Sequence, residues 1–205
     1  AAGMTPTTKD CRFDLDVLRS NLDAIVKATT SIDAVGLYEA IEVANPSGLG
    51  AAPELDVTDP NSKAQLIKNK VTLFDVFKLA AAYDDISYEW TNKYSITFDL
   101  AYPNLKKQLQ TQSLPNAVVH TFLTILSQRP DTFIARKVGK QKAFEVTADA
   151  KKILLQDNLE TAAGKTALIE FDKKLRLSGN KTNPGTTADL TATTLALATL
   201  AGYRP

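Results

Sequence analysis

Small hydrogen-bonding residues are concentrated between Asn180 and Asp189, where the sequence reads NKTNPGTTAD and runs into an apolar helix. The first turn of a helix offers unpaired N–H groups and the positive end of the helix dipole, which together suit a phosphate group. Asn183 and Thr186 add hydrogen-bonding side chains, and Gly185 lets the backbone approach a ligand closely. The stretch therefore predicts an anion or phosphate site.

Two charged residues of the same stretch extend this prediction. Lys181 would neutralise a phosphate as a point charge, and Asp189 would hold a Mg²⁺ ion that bridges phosphates. The stretch is not a Walker P-loop, because the GxxxxGK[ST] order is missing. The alternative is structural: Thr186 or Thr187 caps the last helix, and Thr186 and Asp189 have near capping-box spacing.

A second group of candidate residues lies in YDDISYEW, residues 83–90. Asp85 and Glu89 are four residues apart and share a helix face, with Asp84 beside them. Paired acids serve Mg²⁺ coordination or general-base catalysis, and Trp90 and Tyr94 could stack a base. The alternative is an acidic solvated face whose aromatic neighbours belong to the core.

The stretch RPDTFIARKVGK, residues 129–140, carries four cations and one acid around apolar residues. Arg136 is placed to contact phosphate oxygens with its planar guanidinium group, and Asp131 is either a helix cap or a metal ligand. The alternative is a surface helix whose charges are neutralised by partners. NPSGLG, residues 45–50, is either a helix-ending turn or a second place where backbone meets ligand.

The chain contains one histidine and one cysteine. Most zinc sites and most Cys–His nucleophile pairs are therefore excluded, whereas Mg²⁺ bound by one or two carboxylates and substrate phosphates is allowed. His120 lies in an apolar run, where we expect a core residue with a satisfied hydrogen bond. We expect Cys11 to be inert.

Helical periodicity dominates the 205 residues, and no alternating run of β-branched residues predicts a strand. The sequence thus predicts an all-α fold with one multi-helix domain over residues 1–205. Predicted helices begin near Asp14, Ser31, Thr72, Ser113, Asp131 and Thr186. Three others cover residues 85–111, 141–155 and 158–177, and the first of these is expected to kink or break at Pro103.

The composition is that of an ordinary globular protein, with 44% hydrophobic and 23% charged residues. A net charge of +1 predicts no general attraction to nucleic acid or to a membrane surface. No apolar run reaches the length of about 18 residues that a transmembrane helix needs. The unpaired cysteine and the lack of a signal-peptide pattern favour the cytoplasm.

Four separated stretches together resemble one family, the ATP:dephospho-CoA triphosphoribosyltransferases. They are ANPSGLG (44–50), YDDISYEW (83–90), DTFIARKVG (131–139) and NPGTTADLTATTLAL (183–197), of which the last is the most specific. The resemblance implies an all-α enzyme that moves the 5-triphosphoribosyl group of ATP to a ribose hydroxyl of dephospho-CoA and releases adenine. ATP would act as a substrate with Mg²⁺, and the acceptor would be dephospho-CoA or another small molecule.

The resemblance also implies roles for individual residues. Asp84 and Asp131 become the candidate catalytic acids, in preference to Asp85 or Glu89, and Asp189 and Asp84 the candidate metal ligands. The candidate substrate- or phosphate-binding residues are Arg136, Lys181, Asn183, Gly185, Thr186, Asn45 and Gly48. Which acid acts as the base and which binds metal is left open.

The chain departs from the family pattern in two ways. A Lys-Pro-Gly segment and an NTNxG segment are missing at the N-terminus, so the chain is expected to be the C-terminal part of a longer family domain. A missing N-terminal segment or a partner chain would then complete it, or the chain would be a non-catalytic nucleotide-binding subunit. In addition, Phe133 replaces the usual Asn after Asp-Thr, as in a branch linked to tetrahydromethanopterin metabolism, where phosphoribosyl pyrophosphate and a pterin precursor would be the substrates.

Overall fold

The structure, a computed structural model, describes residues 1–9, 12–46, 49, 51–155, 159, 161–177 and 179–204. These residues contain eleven α-helices, one short 3-10 helix, one π-helix and no β-strand. Thr7 and Phe13 form an isolated β-bridge. The prediction of an all-α fold is therefore confirmed. Within the same ranges, no helix combines the length and the apolar character needed to cross a bilayer.

The chain divides into two compact units, residues 1–94 and 95–205. The assignment of residues 1–205 to a single domain stays a prediction. The first unit contains the 3-10 helix Ala2–Met4 and the helices α1 (Leu15–Lys27), α2 (Ser31–Ala44), α3 (Ser62–Lys68), α4 (Leu73–Ala80) and α5 (Asp85–Thr91). Ala34, Tyr38 and Leu66 form a buried cluster that joins α2 to α3 and that apolar residues of α4 cover.

Side chains that accept backbone N–H groups fix the starts of α1 and α4. Asp14 Oδ1 accepts the N–H groups of Asp16 and Val17 at 3.0 and 3.1 Å. Thr72 and Asp75 form a reciprocal capping box, in which each side chain accepts the other residue's N–H group. The predicted helix starts at Asp14 and Thr72 are therefore confirmed, because both depend on contacts between residues close in sequence.

The second unit begins with the π-helix Ile96–Ala101 and continues with six α-helices. They are α6 (Tyr102–Gln108), α7 (Leu114–Gln128), α8 (Thr132–Val138), α9 (Lys140–Leu154), α10 (Ala162–Arg176) and α11 (Gly185–Leu200). One buried cluster joins α7 to α10 through Leu123, Leu126, Ile134, Ala143, Val146, Ala150, Ile153, Phe171 and Leu175. A second cluster joins α6, α7 and α11 through Leu105, Ala117 and Ala198.

The helical stretch predicted over residues 85–111 has an unpredicted break after α5, where Lys93 and Tyr94 both have a φ of 54°. Near Pro103, where the kink or break was predicted, the π-helix Ile96–Ala101 changes to α6. Pro103 is the second residue of α6, directly after that π-helix. The short helix α3 (Ser62–Lys68) was not predicted, since seven residues contain too few apolar positions to show a period.

Candidate functional site

The buried carboxylate of Asp131 connects the starts of α8 and α11. Its Oδ1 atom accepts the Ile134 N–H group at 3.0 Å and thereby caps α8. Its Oδ2 atom accepts both the N–H group and the hydroxyl of Thr187, each at 2.8 Å. The interpretation of Asp131 as a helix cap is confirmed, and the same side chain also caps the start of a helix far away in sequence.

Burial governs the protonation of this carboxyl group, whose residue is only 1% exposed. Burial raises the pKa of Asp131 above its ordinary value, because a charge loses hydration there, and the hydrogen bonds from Thr187 and Ile134 oppose that rise. Three hydrogen bonds to two oxygen atoms stabilise the ionised form. An Asp131 carboxylate in this environment is therefore a strong structural acceptor.

Two further contacts join the residues that follow Asp131 to the residues that precede Thr187. The hydroxyls of Thr132 and Thr186 lie 3.0 Å apart. A Cβ atom added to Gly185 would lie 3.0 Å from Cδ1 of the Phe133 ring. Residues 131–133 thus meet residues 187–185 one by one, and we call these three contacts the α8–α11 junction.

The junction corrects the predicted cap of the last helix. The residue at the N-cap position of α11 is Pro184, which makes no side-chain capping bond, and Thr186 and Thr187 lie inside the first turn, 4% and 2% exposed. Thr186 or Thr187 as the cap is therefore wrong, because Asp131 supplies the acceptor that the local sequence does not. The carboxylate occupies the place at Thr187 N–H that a bound anion would take.

A cavity of about 630 Å³ lies beside the junction, between α7, α10 and the start of α11. Its walls are mainly apolar, with Phe122, Leu168 and Phe171 among them, and Asn183 and Gly185 belong to the lining. The exposed ion pair of Arg176 and Asp172, 2.7 Å between Nε and Oδ2, also lines the cavity. Among the predicted binding residues, Asn183 and Gly185 therefore face a space large enough for part of a nucleotide.

Three further predicted binding or metal-ligating residues of this unit lie on the surface. Lys181 and Asp189 are exposed, as is Asn183 beside the cavity. Arg136 is also exposed, with its guanidinium carbon 5.9 Å from the centre of the Phe133 ring, and Lys137 Nζ lies 4.1 Å from the same ring. Their predicted roles in phosphate or metal binding stay predictions.

Asn45 and Asp84 lie in the first unit, where they line two adjoining cavities. Asn45 ends α2 in the left-handed conformation, with a φ of 41°, and lines a space of about 400 Å³. Asp84 caps α5, accepting the Ile86 N–H group at 3.0 Å, and lines a space of about 280 Å³. Both spaces are lined by Ile41, Leu49 and Val57. Gly48 lies outside the described residues, and so does Cys11.

Three residues that the sequence analysis did not select also line these cavities. Tyr38 donates its hydroxyl to the Leu55 carbonyl at 2.5 Å, and burial, aided by nearby Tyr83 and Asp56, raises its pKa to about 12. Asp56 accepts hydrogen bonds from the Thr58 hydroxyl and from the Thr58 and Ala52 N–H groups, and these bonds, the first most strongly, lower its pKa. Lys63 forms an ion pair with Glu42 at 2.8 Å. A tyrosine on the apolar stripe of a helix is typical of a core residue, so nothing in the sequence indicated that Tyr38 lines a cavity.

The alternative interpretation of YDDISYEW as a solvated acidic face is wrong. Asp85 and Glu89 are 7% and 2% exposed, so both acids of α5 are buried. Trp90 packs against Phe77 with ring centres 4.8 Å apart, and the Tyr94 ring centre lies 6.3 Å from that of Trp90. These aromatic rings therefore pack against one another, at tilted angles, within the protein.

Among the described residues, no group of three or more His, Cys, Asp or Glu side chains is placed to hold a metal ion. A metal site built entirely from protein ligands therefore does not fit this part of the chain. A Mg²⁺ ion that takes one carboxylate and several phosphate oxygens does fit, because the exposed Asp189 offers such a carboxylate. His120 is half-buried, 3.3 Å from Asn104 Oδ1, which confirms a histidine with a hydrogen-bonding partner.

Comparison with known proteins agrees with this helical architecture. A crystal structure from Archaeoglobus fulgidus, provisionally named triphosphoribosyl-dephospho-CoA synthase, is similar to this chain with 26% sequence identity and a TM-score of 0.69. The similarity covers 89% of this chain and 72% of that one. No curated protein sequence matches the chain. The model of the CitG family matches residues 1–205, so the chain belongs to the ATP:dephospho-CoA triphosphoribosyl transferases and is an enzyme of that kind.

Proposed function

We propose that this protein transfers the 5-triphosphoribosyl group of ATP to a ribose hydroxyl of dephospho-CoA and releases adenine. The match of the family model to residues 1–205 carries this proposal. The cavity of about 630 Å³ in the second unit supports it, since Asn183 and Gly185 line a space large enough for part of a nucleotide. The reaction needs such a space, because its nucleotide substrates have to be held and oriented.

The chemistry exchanges one bond at the anomeric carbon of the ATP ribose. The acceptor oxygen forms a bond to C1′ while the bond from C1′ to the adenine nitrogen breaks, through a state with oxocarbenium character. The acceptor hydroxyl loses a proton to a base, and the departing adenine takes up a proton. The triphosphate stays on the transferred ribose, so no phosphate bond is broken.

Among the predicted acids, Asp84 suits the base better than Asp131. Asp84 is half-buried and lines a cavity, whereas Asp131 is 1% exposed. A general base needs hydrogen-bonding reach to the substrate proton. Lys181 and Arg136 carry exposed positive charges suited to the triphosphate, and Mg²⁺ bound with ATP would neutralise part of its charge.

A product assay tests the proposal. The full-length gene product is incubated with ATP, Mg²⁺ and dephospho-CoA, and the mixture is separated by liquid chromatography and mass spectrometry. We expect free adenine together with a CoA species whose mass has increased by the triphosphoribosyl group. ATP cleavage without adenine, or an unchanged dephospho-CoA mass in a folded protein that binds ATP, contradicts the proposal.

Two aspartate variants give this assay a matched pair. Asp84→Asn removes the proposed base and is expected to lower kcat by about 100-fold or more. Asp14→Asn changes another helix-capping aspartate of the same unit, whose bonds go to Asp16 and Val17, and is expected to leave kcat unchanged. Equal losses in both variants would mean that Asp84 acts only as a helix cap.

A second candidate function rests on Phe133, which stands where the family usually has Asn. Phosphoribosyl pyrophosphate would then be the donor and a pterin precursor the acceptor. The same assay with that donor distinguishes the two reactions, because it would release pyrophosphate and no adenine. Binding of either donor without turnover would favour a non-catalytic nucleotide-binding subunit.

A further inference from the structure

We propose that Asp131, Thr187 and Phe133 are positioning residues, which fix the turn Asn183–Gly185 in the cavity wall, and that Asp131 does not itself contact substrate. The proposal rests on the proposed function and assigns a task to residues that the reaction scheme leaves unused. It replaces the predicted catalytic role of Asp131.

The burial of Asp131 is the first reason. Its two carboxylate oxygens accept three hydrogen bonds from Ile134 and Thr187, and its exposure is 1%. To receive a proton from a substrate hydroxyl, the side chain would have to give up bonds that cap two helices. Removing a hydrogen bond from a buried charged acceptor strongly destabilises the folded protein.

The anchoring of the turn on both sides is the second reason. On its N-terminal side, the Thr182 hydroxyl donates to the Leu175 carbonyl at 2.8 Å, which ties the turn to the end of α10. On its C-terminal side, Thr187 is held by Asp131. Within the turn, the Gly185 N–H group donates to the Asn183 carbonyl at 2.9 Å. Asn183, Pro184 and Gly185 therefore line the cavity between two fixed points.

The contact between Gly185 and Phe133 sets how closely the turn approaches α8. Any larger residue at position 185 would push its Cβ atom to 3.0 Å from the ring. The ring thereby limits how close the turn can come to α8. Displacement of a substrate-contacting group by about 1 Å can cost about 100-fold in rate, so a fixed turn matters for turnover even though its anchors touch no substrate.

Thr187→Val is the decisive variant, because valine keeps the shape of threonine and removes the hydroxyl that donates to Asp131. Thr191→Val is the matched control. Thr191 lies one turn later on α11, is similarly buried at 6%, and donates its hydroxyl to the Thr187 carbonyl of its own helix. The assay is adenine release with ATP and dephospho-CoA, with Asp131→Asn and the double variant Asp131→Asn/Thr187→Val measured in parallel.

We expect Thr187→Val and Asp131→Asn to lower kcat/KM by about 10-fold or more, and the double variant to be no worse than the more affected single variant. The acid limb of the pH–rate profile should stay in place in both single variants, and Thr191→Val should match the wild type. Wild-type activity in Thr187→Val, together with loss of the acid limb in Asp131→Asn, would overturn the proposal and make Asp131 the base.

Amide hydrogen exchange at residues 185–188 tests the anchoring without turnover. Faster exchange there in Thr187→Val, but not in Thr191→Val, supports the proposal even if the wild type releases no adenine, an outcome that would contradict only the proposed function. Unchanged exchange in both variants would overturn the anchoring itself.

Discussion

Gly185 shows how a single missing side chain determines local packing. The ring of Phe133 occupies the space next to its Cα atom, and Lys137 covers the same ring at 4.1 Å. The sequence analysis assigned this glycine to close approach of a ligand. The structure shows that a side chain of the protein, the Phe133 ring, already lies close to this glycine, whatever the ligand.

We expect Gly185→Ala to lower the free energy of unfolding by about 1 kcal/mol. Overpacking of a filled site costs about 1–3 kcal/mol, and the gain in helix propensity from Gly to Ala is about 1 kcal/mol at most, and smaller at a helix start. Urea denaturation measures the difference.

A second background provides the control for this substitution. In a Phe133→Leu background the ring is gone, so Gly185→Ala should become neutral or stabilising. If Gly185→Ala destabilises both backgrounds equally, contact with the Phe133 ring is not the cause.

His120 makes a pH-dependent contribution that its environment defines. Burial lowers its pKa below the ordinary value of 6.5; a backbone hydrogen bond partly opposes this shift, and the charge of Lys107 adds a smaller lowering effect. The unfolded chain therefore binds the proton more readily than the folded protein. Stability from this group is fully present above about pH 6.5 and is lost as the pH falls through the folded pKa.

The matched comparison is the wild type against His120→Asn. Between about pH 7 and about pH 5 the wild type should lose more stability than the variant, as measured by urea midpoints. The same pH dependence in both proteins would show that His120 titrates alike in the folded and unfolded states.

At the scale of elements, the start of α4 depends on a cap formed by residues close in sequence. Thr72→Ala removes the threonine half of the capping box at α4, in which the Thr72 hydroxyl accepts the Asp75 N–H group at 3.1 Å and lies 2.7 Å from Asp75 Oδ2. We expect a loss of about 1 kcal/mol in the free energy of unfolding. Chemical denaturation followed by circular dichroism measures it.

Thr193→Ala is the control for that loss. The exposed Thr193 hydroxyl donates to the Asp189 carbonyl within α11, a bond that adds little to helix stability. We expect a change within about 0.5 kcal/mol. A loss at Thr193 as large as that at Thr72 would rule out capping as the explanation.

At this scale, a helix start could be predicted from the sequence when the capping residue and the N–H groups that it accepts are close together in the chain. The starts at Asp14, Thr72 and Asp131 were predictable, because the cap and the N–H groups it accepts lie within three residues of one another. The cap of α11 was not, because Asp131 is 56 residues away in the chain. The turn at Lys93 and Tyr94 was missed as well, since neither residue type is typical of a positive φ.

In the candidate site, too, local features were predictable and contacts between distant segments were not. The predicted residues Asn183 and Gly185 line one cavity, and Asp84 and Asn45 line two others, while their roles in binding and catalysis stay predictions. The sequence could not predict that Asp131 is buried against Thr187, or that Tyr38 and Asp56 line the cavity of Asp84. Burial depends on packing between distant segments, which periodicity does not report.

At the scale of the whole molecule, the two units should differ in resistance to opening. The described cluster around Ile134 in the second unit contains nine buried residues, and that around Leu66 in the first contains three. We therefore expect native-state hydrogen exchange to give a higher opening free energy for α7 and α9 than for α2 and α4.

The measurement follows exchange as a function of low denaturant concentration. Amides of residues 31–44 and 73–80 should share one opening free energy, and those of residues 114–128 and 140–154 another. Merging of all four segments into a single opening event would contradict the division at residues 94 and 95.

The α8–α11 junction also sets an order of events during synthesis and folding of the chain. Ribosomes add about 5–20 residues per second, so Thr187 emerges about 3–11 s after Asp131, from which it is separated by 56 residues. During that interval the carboxylate lacks two of its three donors and has to stay hydrated. The nascent α8 can form, but its capping carboxylate cannot be buried against Thr187 until nearly the whole chain has been made.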